Sequence, residues 1–476
     1  MMPLIGSAVR WAVVWYCMLE GCFMASITNS GWFWHISDIH YDFSFDGGRL
    51  SCNGKVEGSA PYSNYWCDSN WRLTVDSFAA MARLEPNVDF LIWTGDNVAH
   101  IEDEHLSMEL NIHILTNITS LFGQYFPTTT VYAALGNHDY FPTHQFPSSS
   151  NVMYNTMGDL WAGWINDTEQ VENFKRGAFY TVKTAHGLRL VALNTNLYYT
   201  RNKKVRNETD PAGQLAWLRK TLQAADTAGE KVLMISHVGV GVFTPDDVKW
   251  MYTGFHKRFV SILREYGHVI TGIHFGHQHE DSFKVLKTTD GKPAIPMLFA
   301  PSLTPWRFVS ATSGFIAPEH NPAIRLVEYD RSTGRQLNIV QFYTNLTSTN
   351  LNNRSDWTRA YDFKKAFDVR DVTASSLHEL VQRMWRPEGA KYFDRHYKFT
   401  TVIADRDDDP TCNTSSCKSA ILCGLDNIDY DRYDSCVVEY KKRFQTSGST
   451  PVQLSEVYRL AYGFLLLLVA YTSNCI

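Results

Sequence analysis

The sequence predicts an α/β protein: β-sheets in layers flanked by helices, with a small disulfide-stapled helical part at the C-terminal side. Three observations predict it. Short apolar runs rich in aromatic and β-branched residues recur from residue 32, and each ends in a polar cluster. Segments with apolar residues at helical spacing lie between several of these runs, and alternation of the two kinds implies α/β layers. From about Asp371 the pattern turns helical, and four of the six cysteines expected in the mature chain fall there.

Taken in order, the chain opens with Trp11 to Ala25, an apolar run behind Arg10 that is broken only by Glu20 and Gly21. Its length and its small, polar downstream flank read as an export signal over residues 1–25 rather than a membrane span. The body spans 31–370. Trp32–Ile36, Val88–Trp93, Val131–Leu135, Lys231–Ile235 and His268–Phe275 read as buried strands. Trp71–Leu84 reads as a helix, and a second begins at Pro211, a residue suited to a first helical position, with Leu215, Leu218 and Leu222 on one face. Ala323–Tyr329 and Gln336–Leu346 are further strands. In the helical part, 371–445, the segments Ser375–Trp385, Gly389–Thr400 and Tyr433–Phe444 carry the pattern. Residues 446–476 hold small residues at Ser447–Ser449, a polar spacer and the apolar Leu460–Tyr471. That arrangement fits a cleaved lipid-anchor signal, or a terminal helix packed on the core.

Composition narrows the class. The 476 residues are 44% hydrophobic and 20% charged, with a formal net charge of −5, so no basic footprint for a nucleic-acid polymer is present. A small anionic substrate stays open, since bound metal supplies local positive charge. Of nine cysteines, Cys17 and Cys22 fall in the export segment and Cys475 in the tail. The even remainder suits an oxidising compartment. Proximity pairs Cys52 with Cys67, Cys412 with Cys417 and Cys423 with Cys436, among fifteen possible connectivities. Six sequons, at Asn117, Asn166, Asn207, Asn345, Asn353 and Asn413, fit the same compartment as glycosylation sites.

Five strand ends carry the chemistry: Asp38 and His40; Asp96; Asn137 and His138; His237; His277 and His279. Loops at the carboxyl ends of strands in an open α/β sheet gather at one edge, so these residues are expected to meet. Imidazole nitrogen with carboxylate and amide oxygen is a donor set for zinc or a similar divalent ion. Alternate residues such as Asp38 and His40 point the same way from an extended chain. A single D-x-H or G-D-N is commonplace, and G-D-N alone is a turn; the information lies in all five, in order, each at a strand end.

The series D-x-H, G-D-N, G-N-H-D, lone His and G-H-x-H resembles the calcineurin-like metallophosphoesterases over Asp38 to His279. H-I-S-D-I-H-Y-D at 35–42, G-D-N-V-A-H at 95–100, G-H-Q-H-E-D-S-F at 276–283, A-P-S-L-T-P-W at 300–306 and N-P-A-I-R-L at 321–326 are similar to the acid sphingomyelinase branch. The resemblance implies a sandwich of β-sheets and two zinc ions. One would be held by Asp38, His40, Asp96 and His279, the other by Asp96, Asn137, His237 and His277, with Asp96 shared. It implies that hydroxide held between the metals attacks phosphorus, that His138 protonates the leaving group and that His100 contacts the phosphate. Asp139 stands next to His138 and is available to orient it. Ala99 occupies the position where purple acid phosphatases carry an iron-binding tyrosine, which argues against a redox iron centre. No room for a saposin domain precedes Trp32, which points to the short sphingomyelinase-like branch.

The expected function is that of a secreted or membrane-anchored monomeric phosphodiesterase on the extracellular face, acting on small phosphodiesters or phosphoanhydrides such as nucleotides. One alternative is a sphingomyelin phosphodiesterase releasing phosphocholine; another is a tethered binding protein with vestigial catalysis. Tyr41, Tyr140, His144 and Trp306 lie near the motifs and are expected around the cleft.

Overall fold

The computed structural model describes residues 29–446 except 55, 57–59, 245–246, 308–317, 405–411 and 413, with backbone alone from 441. The export segment, the tail beyond 446, Cys17, Cys22, Cys475 and Asn413 lie outside the described residues.

Fourteen strands are present among the described residues: β1 Ser30–Ile36, β2 Phe90–Trp93, β3 Val131–Ala133, β4 Tyr180–Lys183, β5 Arg189–Ala192, β6 Val232–Ile235, β7 Val242–Phe243, β8 Val248–Lys249, β9 Ile270–Phe275, β10 Ser282–Lys287, β11 Pro293–Phe299, β12 Ala323–Asp330, β13 Gln336–Tyr343 and β14 Thr358–Asp362. They form two six-stranded sheets, ordered β14-β13-β12-β1-β2-β3 and β10-β11-β9-β6-β5-β4, and a two-stranded ribbon, β7-β8. The sheets face each other: the Phe33 and His35 rings of β1 meet the His274 ring of β9 edge-on, at 5.3 and 5.2 Å. Every residue of β2 and β6 is buried, as expected for strands covered on both faces.

Register explains how the site forms. In the first sheet β1, β2 and β3 run parallel, with Ile36 opposite Trp93 and Trp93 opposite Ala133. In the second, β5, β6 and β9 run parallel, with Ala192 opposite Ile235 and Ile235 opposite His274. The strands end nearly level, so the five motif loops leave from a common edge.

Side-chain caps set helix starts. Asn70 accepts from the Leu73 amide ahead of helix Trp71–Leu84, and Ser107 does so from Leu110 ahead of Met108–Tyr125. The helix expected from Pro211 starts later. Pro211–Gly213 forms a 3-10 turn, Ala212 has φ 55°, and the α-helix runs Gln214–Thr227 with Asp210 accepting from the Leu215 and Ala216 amides.

Helices Ala374–Met384 and Ser415–Asp426 pack against the β10–β11 edge of the second sheet. Leu377, Leu380, Val381 and Leu422 join the apolar cluster that also holds Phe33 and Met234. The pairs Cys52–Cys67, Cys412–Cys417 and Cys423–Cys436 are bonded as proximity suggested. Among the described residues no helix is long and apolar enough to cross a membrane.

Candidate active site

The loops after β1, β2, β3, β6 and β9 bring together the seven expected ligands. His40 Nδ1 faces the Val98 carbonyl at 2.8 Å and His237 Nδ1 the Thr94 carbonyl at 2.7 Å. Both rings therefore present Nε2 inwards, as a second-shell carbonyl commonly arranges for a ligating imidazole. His279 Nε2 lies 3.2 Å from His40 Nε2 and 3.7 Å from Asp38 Oδ1. Asp96 Oδ2 lies 3.1 Å from His237 Nε2 and 3.5 Å from His40 Nε2, between the two halves. Asn137 Oδ1 is 3.0 Å from His237 Nε2.

Three triplets, Asp38/His40/His279, Asp96/His237/His277 and the all-imidazole His40/His100/His138, each hold donor atoms within 4.8 Å of one another. Donors that each sit about 2.0–2.1 Å from one zinc must approach one another this closely. The His40 and His279 Nε2 atoms, 3.2 Å apart, share at most one proton, and the buried His277 Nε2 has no partner; lone pairs turned towards cations account for both. The residues present thus fit a pair of divalent ions.

The electrostatics of the protein alone agree. Burial and repulsion from Asp96 push the Asp38 carboxyl up to about 7, against the pull of His237 and the Ser37 hydroxyl. Burial would lower His237, but the Asp96 and Asp38 carboxylates outweigh it and bring the ring to about 9. Burial and neighbouring imidazoles hold His40, His277 and His279 well below the ordinary histidine range, so their rings are neutral and free to donate lone pairs.

The local backbone differs from the extended alternation expected for D-x-H and H-x-H. Asp38, His40, Asp96, His277 and His279 all adopt positive φ, from 43° to 73°. Convergence comes from these left-handed turns, a conformation that is uncommon for such residues and that clusters at functional sites. Two glycines allow the loops to touch. A Cβ on Gly136 would stand 2.1 Å from the Asp96 amide nitrogen, and one on Gly276 would stand 2.1 Å from Ser37 Oγ.

His138 sits beside the cluster. Its amide donates to Asp96 Oδ1 at 2.8 Å, and its ring is 5.2 Å from that of His40 and 4.5 Å from that of His100. Asp139 does not orient it, contrary to expectation. The Asp139 carboxylate accepts from the Gly136, Asp96 and Asn97 amides and from the Asn97 side chain, tying the β2 and β3 loops together. His100 is held by Asp68, whose carboxylate takes both its amide (2.6 Å) and its Nδ1 (3.0 Å), and it stacks on Trp306 at 3.8 Å.

Of the expected cleft residues, His144 does most. Its Nδ1 receives the Asn137 amide at 3.1 Å, which turns the Asn137 oxygen towards His237. Trp306 walls the His100 side. Tyr41 packs edge-on to Trp71, and Tyr140 lies among Phe146 and Tyr154. Sequence reading missed Asp68, which no spacing marks, and Tyr199 and Trp250, whose rings meet His277 at 5.1 and 4.6 Å.

Residues 31–281 match the calcineurin-like phosphoesterase family, and residues 292–443 match the acid sphingomyelin phosphodiesterase C-terminal region. The chain is 35% identical to acid sphingomyelinase-like phosphodiesterase 3b of Homo sapiens, covering 89% of this chain and 92% of that protein. It is 34% identical to cyclic GMP-AMP phosphodiesterase SMPDL3A of Mus musculus, covering 86% and 92%. It is 32% identical to sphingomyelinase phosphodiesterase C of Dictyostelium discoideum, covering 86% and 93%. With the motif loops of two facing sheets meeting at one edge and these relatives aligned along nearly their full length, the chain belongs to the calcineurin-like phosphoesterase family, in the branch of the acid sphingomyelinase-like phosphodiesterases.

Proposed function

We propose that this protein is a binuclear zinc phosphodiesterase that hydrolyses small anionic phosphodiesters or phosphoanhydrides, nucleotides being the favoured class. The observation that carries the reading is the position of Asp96 Oδ2 between His40 Nε2 and His237 Nε2, with Asp38, His279, Asn137 and His277 around them. Asp38, His40, Asp96 and His279 form one ligand set; Asp96, Asn137, His237 and His277 form the other. When bound, such ions polarise the phosphoryl group and activate water.

The chain's own groups do the rest. His138, whose amide donates to the shared carboxylate, protonates the leaving oxygen; burial and neighbouring imidazoles lower its ring, so the proton is held there against the negative charge of the bound phosphoester. His100, fixed by Asp68 and Trp306, donates to a phosphate oxygen as charge builds there. Secretion, with glycans on Asn166, Asn207, Asn345 and Asn353, accords with the exposure of these asparagines and with three disulfides; Asn117 is half-buried. The similarity to a cyclic GMP-AMP phosphodiesterase supports a nucleotide substrate.

A panel of ATP, cyclic GMP-AMP, a chromogenic phosphodiester and detergent-dispersed sphingomyelin tests this on zinc-quantified protein. Turnover of a nucleotide without sphingomyelin cleavage is expected. Cleavage of sphingomyelin alone would make the lipid the substrate, and inertness towards all four would leave a binding protein.

A further inference from the structure

One segment of this acidic chain is conspicuously basic: Arg201, Lys203, Lys204 and Arg206 fall within six residues, in R-N-K-K-V-R, of a protein with net charge −5. All four are exposed, while the residues between them are anchored. Asn202 is fully buried and donates to the Phe146 and Asn196 carbonyls at 2.9 and 3.1 Å, and Val205 is buried in the main apolar cluster. The backbone is thus pinned at alternate points, and the cations project from a fixed loop.

That loop borders the active site. Tyr199, two residues before Arg201, meets the His277 ring at 5.1 Å and the His144 ring at 5.5 Å. The Thr200 amide donates to the Trp250 carbonyl at 2.8 Å. Gln145, next to His144, donates to the Arg201 carbonyl at 2.9 Å and accepts from the Lys203 amide at 3.2 Å. Lys204 lies over the Tyr140 ring at 5.6 Å.

The nearby acids are otherwise engaged. Glu208 accepts from Ser148, and Asp210 caps the helix Gln214–Thr227. None of the four cations is in an ion pair among the described residues. A run of surface charge is ordinarily a solvated face; here it is immobilised along the His144–His277 side of a site for phosphoesters.

We propose that Arg201, Lys203 and Lys204 form a subsite for phosphate groups other than the one being cleaved. The inference rests on the phosphodiesterase reading above and narrows its substrate class to molecules with a second phosphate: nucleoside di- or triphosphates, or dinucleotides. It disfavours a choline ester, whose quaternary ammonium would meet like charge. Arg201 supplies a planar donor fork and the two lysines supply mobile point charges.

The experiment uses full-length, zinc-loaded enzyme and its Arg201→Gln/Lys203→Gln/Lys204→Gln variant. Two substrates are compared, ATP and bis(p-nitrophenyl) phosphate, which carries one charge. Binding of a non-hydrolysable ATP analogue is measured alongside by calorimetry. Wild type is expected to lose ATP turnover as salt rises. The variant is expected to lose about tenfold in kcat/KM for ATP, through KM, since charge-assisted contacts of this kind carry about that much. Analogue binding should weaken in parallel, with bis(p-nitrophenyl) phosphate unchanged. Equal kinetics on both substrates, or equal loss on both, would overturn the subsite while leaving the phosphodiesterase reading intact. Wild-type inertness towards both substrates would remove that reading and the subsite with it.

Discussion

At the residue scale, roles divide between groups inside the two proposed ligand sets and groups beside them. Asp96 is the hinge of the arrangement. One carboxylate oxygen faces His40 and His237, while the other accepts the His138 amide. His138 donates its backbone amide to Asp96, and its ring groups with His40 and His100 rather than with the two carboxylate-bearing triplets. Replacing His138 by Ala should therefore cut turnover by about 10²–10⁴-fold, the range of general acid catalysis, with zinc content unchanged. Parallel steady-state kinetics and metal analysis check this; unaltered turnover would take His138 out of the mechanism. His100 depends on partners far away in the chain, Asp68 and Trp306, for its orientation. The strand-end histidines and carboxylates were legible because a polar cluster after an apolar run marks a loop at a sheet edge. Asp68 was illegible because its position is set by tertiary contacts, with Thr304 among them at 2.9 Å. The function of Asp139 was misread for a related reason. Adjacency in sequence suggested a contact with His138, whereas burial made the carboxylate a staple for four N–H donors.

At the scale of elements, the site depends on strands that end level and on a buried ionic brace. Arg325 of β12 is fully buried and pairs with Asp281, two residues after His279. It also donates to Gln341 Oε1 and to the Phe299 carbonyl, both at 2.9 Å, and Tyr361 donates to the same Asp281. The pair joins both sheets to the His277–His279 loop. Arg325→Met should cost about 3–5 kcal/mol in urea unfolding, because it strands a buried carboxylate. A loss below 1 kcal/mol would show that the loop is held by other contacts.

Lys284 of β10 gives a pH test. Burial lowers it to about 7, with Glu280 opposing, and its amine donates to the Val242 carbonyl. The unfolded lysine titrates near 10.4. Between those values the unfolded chain binds the extra proton, so this residue makes stability rise with pH above 7, and its penalty is complete below 7. Lys284→Met should flatten that rise between pH 7 and pH 10 in chemical denaturation. An unchanged slope would contradict the assignment. The helices Trp71–Leu84, Ala374–Met384 and Ala390–Thr400 and the most apolar strands were legible from periodicity, whereas Met108–Tyr125 and Thr253–Glu265 were not read as helices. The late start of the helix at Gln214 was not, since it depends on Ala212 and Gly213 adopting left-handed conformations. Nor were β4, β5, β10, β11 and β14 read as strands. Several of these are short or half-exposed, and their pairing partners, distant in sequence, decide them.

At the scale of the whole molecule, both sheets send the proposed ligands to one edge, so the metals would bridge them. Asp38, Asp96 and Asn137 follow strands of the first sheet, and His237, His277 and His279 follow strands of the second. Ion binding should consequently stabilise the fold as well as activate the site, by mass action on the native state. The helical region from 371 shares the apolar cluster of the sheets. It behaves in packing as a continuation of the second layer.

The most direct test of the central claim is metal content measured together with hydrolysis of a chromogenic phosphodiester. It is made on native protein, on chelated protein, on chelated protein given zinc back, and on Asp96→Asn. Two zinc ions per chain are predicted, with activity lost on chelation, restored by zinc, and both metal and activity depleted in Asp96→Asn. Full activity in metal-free protein, or two retained zinc ions in Asp96→Asn, would contradict a binuclear centre shared through Asp96.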